Sequence, residues 1–437
     1  MNAAIMLRIQ GETNLNKYIG LGTHARSELD VVCAVLIALL PILQHYKGAF
    51  VNLGFSLLLL MMPILLLRFL INIKGTISVE CLFAIMPLLV FEVYTMCVHT
   101  ISVRGVAYGG AMVVIFLFIT YGVVNVRIVF ESAVIVLKCA AVLITVQYIT
   151  YYLFHYHVQL IPVGLLLEGS DIWINRAVVG ISKAGEMYRP SAFFLEPSHM
   201  FLYAFPIIGM LLLLPAPDRK RIKDAIMISF GLLLSTSGFG IVAVAMLWGV
   251  YVTLYRDPLD KRMILKRLFS YRTLLIIFGF ILLAVVMFYT VPLVRSTVLR
   301  IFDSQTGTSA AISGRIALAN QYISQLSGNS LLFGLGIKAG GFEFNMAGFQ
   351  ATLYKWGIVG VVLTYWFYGR GLVRLRGAYF YISAIIIVIS FFTAHTHGTF
   401  YLIYYTVFLM NGYYMKANTE TEKAQLEGMR SYVLGGL

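Results

Sequence analysis

Long apolar runs separated by short polar segments are the dominant pattern along the chain. A helix needs roughly 20 apolar residues to cross a bilayer, and about twelve runs approach that length. Their Leu, Ile, Val and Phe residues do not alternate with polar ones as in barrel strands, so the pattern predicts helices. The predicted spans lie near 30–46, 49–70, 77–99, 105–126, 130–157, 192–215, 222–236, 238–255, 273–292, 347–368, 378–394 and 399–415.

Composition strengthens this prediction. Hydrophobic residues make up 60% of the 437 residues and charged residues only 12%, and the mean hydropathy is +0.85. No ordinary soluble domain has such a composition, and a net charge of +14 in this context does not indicate nucleic-acid binding. We expect an all-α, polytopic integral membrane protein of about twelve transmembrane helices, with residues 1–437 forming one membrane domain.

The distribution of Lys and Arg predicts the orientation. With both termini cytoplasmic, most of the 33 basic residues fall in cytoplasmic segments, as the positive-inside rule requires. The long loops 158–191 and 293–346 then lie on the outer face. A break at Ser235–Gly238 predicts a helical hairpin in 225–255 with its tip outward, so the tip and the turn at 395–398 share that face.

A cluster of polar side chains marks the entrance to one span. Arg189, Glu196 and His199 lie where a polar loop meets an apolar run, and charges at membrane depth usually face a cavity, a partner or a substrate. If the helix begins near Ala192, Glu196 and His199 share a face and Pro197 lies in the first turns. Arginine suits a phosphate, and Glu or His can accept a hydroxyl proton. The alternative is a structural ion pair that caps the helix.

The second outer loop carries further candidates. Arg315 follows Ser313-Gly314, and glycines between 333 and 341 permit close approach of the backbone to a ligand. Lys338 adds a positive charge there, and Glu343 is the loop carboxylate nearest the following span. The alternative is that these are solvated side chains and simple turns.

Other polar groups indicate less. Glu92 and Lys138 fall within spans and are predicted to pair with each other. His395 and His397 are too few for a metal site. The chain has no Gly-Lys dipeptide for a nucleotide-binding P-loop and no Asp-x-Asp for a metal-bound nucleotide sugar. No cofactor and no metal are therefore predicted.

Four motifs in order resemble the O-antigen ligase/polymerase superfamily and, within it, the Wzy-type polysaccharide polymerases. The first is the Arg-x6-Glu-Pro-Ser segment at 189–198, and the second is the Ser-Thr-Ser-Gly hairpin tip at 235–238. The third is Ser-Gly-Arg at 313–315 followed by Phe-Gly-x-Gly at 333–336, and the fourth is the Gly-x-x-Gly at 357–360.

This resemblance implies a GT-C-like fold and an inverting, metal-independent glycosyltransferase of the bacterial inner membrane. It would join undecaprenyl-diphosphate-linked oligosaccharides at the periplasmic face and build O-antigen, capsule or exopolysaccharide. Membrane lipid, a chain-length-regulating co-polymerase and a flippase are the further partners implied.

The site residues follow from combining the resemblance with the clusters above. Arg189, Arg315 and Lys338 are expected to hold the donor diphosphate. Glu196, His199 and Glu343 are the catalytic candidates, as base or acceptor-orienting groups in an open order.

Two other functions are kept as alternatives. The ligases carry a histidine followed by Asn, Ser or Gln and then, after nine further residues, a Gly-x-x-Gly; counting back from Gly357 places Met346 and Ala347 at that pair. This difference favours the polymerase over an O-antigen ligase acting on lipid A core, and Glu343 is close enough to replace that histidine. A lipid-linked oligosaccharide flippase or other transporter would need polar residues through the full depth of its spans, whereas here they gather on the outer side.

Overall fold

A computed structural model describes residues 28–48, 52–71, 79–99, 123–158, 188–214, 218–254, 322–336, 348–392 and 400–416, and a few single positions between 160 and 320. Every regular element in this part of the chain is a helix, and Lys47 and Asn52 form an isolated antiparallel bridge. The predicted all-α fold class is confirmed.

The helices are numbered in chain order. They are α1 Glu28–Leu43, α2 Leu53–Ile71, α3 Val79–His99, α4 Val126–Phe154, α5 Pro197–Leu213, α6 Arg219–Leu234, α7 Gly238–Leu254, the short α8 Asn329–Phe333, α9 Gly348–Arg374, α10 Ala378–Phe392, and α11, which covers 400–416.

Polar residues at the ends of the apolar runs determine where two helices begin. The Asn125 side chain accepts a hydrogen bond from the Ile128 N–H and starts α4. Asp218 does the same for the Arg221 N–H and starts α6. Both residue types are favoured caps because they satisfy a backbone donor that the first turn leaves unpaired.

The centre of the bundle is formed by α5 and α11. Nearly every residue of α5 is buried, and so are residues 400–413 of α11. The hydroxyls of Tyr401, Tyr404 and Tyr405 donate to the carbonyls of His199, Tyr203 and Leu202 at 3.0, 3.2 and 2.9 Å, respectively. Because residue numbers rise together along both helices, α5 and α11 are parallel.

One of these bonds has a specific physical cause. Pro206 lies inside α5 and has no N–H, so the Leu202 carbonyl four residues earlier lacks its helical donor. The hydroxyl of Tyr405 supplies the missing bond. Polar groups inside an apolar bundle must be satisfied within the protein, which explains a tyrosine at this point of α11.

The predicted hairpin break is confirmed, because α6 ends at Leu234 and α7 begins at Gly238. Glycine lets α6 approach α4 closely: a Cβ atom at Gly231 would lie 2.7 Å from the Cβ of Ala141. The turn itself, Ser235 to Ser237, is buried rather than open to the outside.

The prediction of one continuous span over 347–368 is wrong. Gly357 has φ 65° and ψ −169°, which breaks α9 into 348–356 and 358–374. The rings of Phe349 and Tyr365 lie 6.2 Å apart, whereas a straight helix would separate these residues by about 24 Å. The two halves therefore fold back on each other at Gly357.

The prediction for the charged residues inside spans is also corrected. Lys138 of α4 pairs with Asp224 of α6, with Nζ and Oδ1 2.8 Å apart. The Glu92 side chain lies outside the described residues. Sequence reasoning missed Asp224 because it follows the basic residues at the start of α6.

Within the described residues, α4 is the single helix both long and apolar enough to cross a membrane by length and composition, and half of its most apolar window is buried. Five shorter apolar helices accompany it: Leu53–Leu67, Phe83–Thr95, Pro197–Leu213, Gly240–Val252 and Ala378–Phe391. The count of about twelve spans stays a prediction.

Candidate functional site

The Arg189–His199 segment leads into the N-terminal end of the central helix α5. The helix begins at Pro197, a residue well suited to a first helical position, so the predicted start near Ala192 is wrong. Ala192 has φ 52°, and the Phe194 N–H bonds to the Ser191 carbonyl at 2.9 Å. The residues before Pro197 form turns that present their side chains at the end of the bundle.

Glu196 is the residue immediately before the helix. Its backbone is extended, and its half-buried carboxylate accepts a 2.9 Å hydrogen bond from the Ser198 hydroxyl at Oε2. The positive end of the α5 dipole favours negative charge at this position. Ser198, two residues later, therefore orients the carboxylate, a role that the motif alone did not assign.

His199 faces the interior instead. Only 2% of its surface is exposed, and its ring stacks on His45 at 4.7 Å with the planes 4° apart. Its carbonyl accepts the hydrogen bond from Tyr401. Glu196 and His199, which the sequence treated as equivalent candidates, thus have different surroundings, and the carboxylate is the more accessible of the two.

Arg189 is half-buried, and the segment that carries it is held by residues far away in the chain. Gln147 of α4 is buried and accepts from the Ala192 N–H while its Nε2 donates to the Val158 carbonyl, both at 2.9 Å. The hydroxyl of Tyr46 donates to the Phe193 carbonyl at 3.1 Å. Sequence reasoning missed both anchors; the available signal for Gln147 was a lone amide within an apolar span.

Aromatic rings surround the start of this segment. Tyr188 stacks on Tyr151 at 4.4 Å, and His157 meets it edge-on at 5.0 Å. Burial, followed by the neighbouring Tyr151, raises the pKa of Tyr188 to about 12. Tyr148 and Tyr152 form a second pair at 4.5 Å. Tyrosines at the end of an apolar helix are also typical of an interfacial belt.

The α6–α7 turn reaches the same end of the bundle. A Cβ atom at Gly240 would lie 3.6 Å from the Cβ of Phe201, two residues after His199, and Gly240 donates its N–H to the Ser237 hydroxyl at 3.3 Å. Thr236 adopts φ 52°, which is uncommon for a β-branched residue. The hairpin tip and the start of α5 therefore lie at the same end of the bundle, and the assignment of this end to the outer face of the membrane stays a prediction.

Two other motifs meet at the break in α9. The Leu335 and Gly336 N–H groups donate to the carbonyls of Tyr354 and Lys355 at 3.0 and 2.9 Å, respectively. These carbonyls precede the break, where the regular helical donors are lost. Gly334 has φ 75°, and a Cβ on it would overlap the Lys355 carbonyl. Phe-Gly-x-Gly and Gly-x-x-Gly therefore form one backbone junction.

The other residues singled out in the sequence lie outside the described residues. They are Arg315, Lys338, Glu343, His395 and His397. Over the part of the chain that the structure describes, no group of three or more His, Cys, Asp or Glu side chains could hold a metal ion.

No protein-family model matches the chain, and no curated protein matches it.

Proposed function

We propose that this protein is a membrane glycosyltransferase that polymerises undecaprenyl-diphosphate-linked oligosaccharide repeat units into O-antigen, capsule or exopolysaccharide. The observation that carries the proposal is a single segment at one end of an apolar helical bundle that carries Arg189, Glu196 and Ser198, with the Glu196 carboxylate held by the Ser198 hydroxyl. An acidic and a basic group on one segment at the edge of a lipid-like interior suit a substrate with a diphosphate, sugar hydroxyls and a polyprenyl tail.

The surface of α4 supports placement in a membrane. Ile135, Val142, Val146, Ile149 and Leu153 form a stripe along this helix, and each is 44% to 69% exposed. In a water-soluble protein the exposed stripe of a helix is polar. An apolar exposed stripe of this length suits lipid, and we propose a multi-pass protein of the bacterial inner membrane with its site facing the periplasm and both termini in the cytoplasm.

The reaction joins two lipid-linked glycans. The acceptor hydroxyl oxygen attacks the anomeric carbon of the donor from the face opposite the diphosphate, so the configuration inverts. Glu196 takes the hydroxyl proton, the bond to the diphosphate oxygen breaks, and undecaprenyl diphosphate leaves with the electron pair. A positioned base contributes roughly 10²–10⁴-fold to such a reaction because sugar hydroxyls are very weak acids.

Arg189 is proposed to stabilise the departing diphosphate. Negative charge grows there as the anomeric carbon becomes positive, and removing one fixed donor from such a site costs about 2.7–4 kcal/mol of activation free energy. Arg315 and Lys338 are proposed as further diphosphate ligands, Glu343 as a second carboxylate, and His199 as a group that supports Glu196 from the interior. No metal takes part in this scheme.

Purified protein in lipid nanodiscs tests the proposal directly. The substrate is the undecaprenyl-diphosphate-linked repeat extracted from cells that lack this protein. A ladder of products spaced by one repeat supports a polymerase. Transfer to added lipid A core instead would indicate a ligase, and movement of the repeat across a vesicle membrane without elongation would indicate a flippase.

A further inference from the structure

We propose that the tyrosine cluster, defined as Tyr148, Tyr151, Tyr152 and Tyr188, forms with His157 a subsite for one sugar ring of the lipid-linked repeat. The inference rests on the proposed function and names the part of the substrate that this end of α4 would recognise. A pyranose has an apolar C–H face and polar edges, so it pairs with an aromatic face beside a polar group.

The rings of the cluster are packed against one another in fixed orientations. Tyr188 stacks on Tyr151 with the planes 25° apart, and Tyr151 meets Tyr152 edge-on at 5.2 Å. The Tyr152 hydroxyl interacts with the backbone of Tyr188. Tyr188 is 1% exposed while Tyr152 is 37% exposed, so a buried ring supports one that a ligand can reach.

The position of the cluster links it to the proposed reaction. Tyr188 directly precedes Arg189, the proposed diphosphate ligand. Gln147, one turn before Tyr151 on α4, binds the backbone at Ala192 and so ties the rings to the segment that carries Glu196. In the donor, the first sugar is bonded directly to the diphosphate, which places a sugar ring next to Arg189.

His157 supplies a polar group beside the rings. Its Nε2 atom is buried and has no hydrogen-bond partner in the described part of the chain. Burial lowers the pKa of His157, so the imidazole is neutral near pH 7 and can bind a hydroxyl. A buried polar atom that the protein leaves unsatisfied is suited to a ligand hydroxyl.

An interfacial belt is the simpler explanation for tyrosines at a helix end, and it differs from the subsite in a measurable way. Belt residues need only reach the headgroup region. Tyr156, which lies just after the end of α4 and is 66% exposed, fits that description. Tyr188 does not, because it is buried among other rings.

The test compares Tyr152→Leu with Tyr156→Leu in nanodiscs, using the repeat extracted from cells that lack this protein. Aromatic stacking of about 0.5–1.5 kcal/mol predicts that Tyr152→Leu raises KM roughly two- to tenfold with a smaller change in kcat, and that Tyr152→Trp restores KM. Tyr156→Leu should leave KM unchanged. Free glycan, released by mild acid, should compete less well against the Tyr152→Leu variant.

Equal effects of the two leucine variants, or no effect of either, would overturn the subsite and leave an interfacial belt. Binding of the same extracted repeat is also measured by native mass spectrometry, which does not depend on turnover. If the wild-type protein makes no polymer but Tyr152→Leu still weakens binding relative to Tyr156→Leu, the subsite stands and the polymerase function fails. Melting temperatures of all variants exclude misfolding as the cause.

Discussion

At the scale of single residues, Glu196 and His199 lie three positions apart at the start of α5 but have different surroundings, because the carboxylate is half-buried and the imidazole is buried. Both are candidates because charge is costly in an apolar chain. The burial of His199 depends on His45 and Tyr401, which are distant along the chain. Contacts between residues far apart in the sequence leave no pattern near the motif. The motif alone therefore could not predict that the imidazole is buried and the carboxylate is more accessible.

Glu196→Gln should abolish most polymerisation, because the amide keeps the shape of the side chain but cannot accept the hydroxyl proton. Removing a general base predicts a roughly 10²–10⁴-fold loss of kcat. Ser198→Ala removes only the hydrogen bond that orients the carboxylate and should cost far less. Both are measured as initial rates of chain growth. A Glu196→Gln variant with near wild-type kcat would assign the base elsewhere.

Arg189→Lys tests whether the planar guanidinium is required. Lysine keeps the charge but loses the two-pronged donor geometry. The activation free energy obtained from kcat/KM should therefore rise by about 2–4 kcal/mol. The alternative role, a structural cap, predicts a lower melting temperature in detergent with normal activity per folded molecule. Rate and melting temperature are therefore measured on the same preparation, and an early-melting but fully active variant would contradict the assignment.

At the scale of elements, local rules predicted the breaks between helices better than the course of the chain after them. The break between α6 and α7 could be predicted because the apolar run 225–255 is too long for one span and is interrupted by Ser, Thr and Gly residues. The reversal of α9 at Gly357 was not, because an apolar run with glycines also fits a straight span. What fixes the reversal is the pair Leu335 and Gly336, whose N–H groups donate to the two backbone carbonyls just before the break.

Gly357→Ala should disrupt this junction. Gly357 has φ 65°, and a Cβ there would overlap the Leu332 carbonyl, so the variant combines backbone strain with a backbone clash. Gly369→Ala is the matched control in the same helix, because a Cβ at that position meets nothing within 4 Å. We expect a strongly lowered melting temperature for the first variant and wild-type stability for the second. Similar melting temperatures for the two variants would show that Gly357 is not needed for the backbone junction.

The pairing of α5 with α11 gives another sharp comparison. Tyr405→Phe leaves the Leu202 carbonyl buried without a donor, because Pro206 cannot supply one, and should cost about 1–3 kcal/mol of unfolding free energy. Tyr404→Phe removes a similar bond from a carbonyl that keeps its helical donor, and should cost less. Denaturant titration in mixed micelles ranks the two. A larger loss for Tyr404→Phe would show that Pro206 is not the cause.

At the scale of the whole molecule, composition sufficed to predict an all-helical fold, since an apolar chain must pair its backbone groups within each segment. The number of spans does not follow as directly. The α9 region turns back on itself, so an apolar run of span length is not always one crossing. By contrast, charge asymmetry predicts orientation without any knowledge of packing.

The orientation is the last prediction. Positions Lys183 and Lys338 should face the periplasm, whereas Arg221 and Arg262 should face the cytoplasm, because basic residues concentrate in the segments that contain the latter pair. Arg221 lies in the first turn of α6, whose far end joins the turn beside Phe201, so the helix itself separates this residue from the candidate site.

Single cysteines at the four positions, in a chain without its four native cysteines, are treated with an impermeant thiol reagent in cells whose outer membrane has been permeabilised. Labelling is expected at 183 and 338 and absent at 221 and 262 until the inner membrane is also opened. The opposite pattern would place the Glu196 end of the bundle in the cytoplasm. A periplasmic polymerase would then be excluded, whatever the chemistry of Arg189 and Glu196.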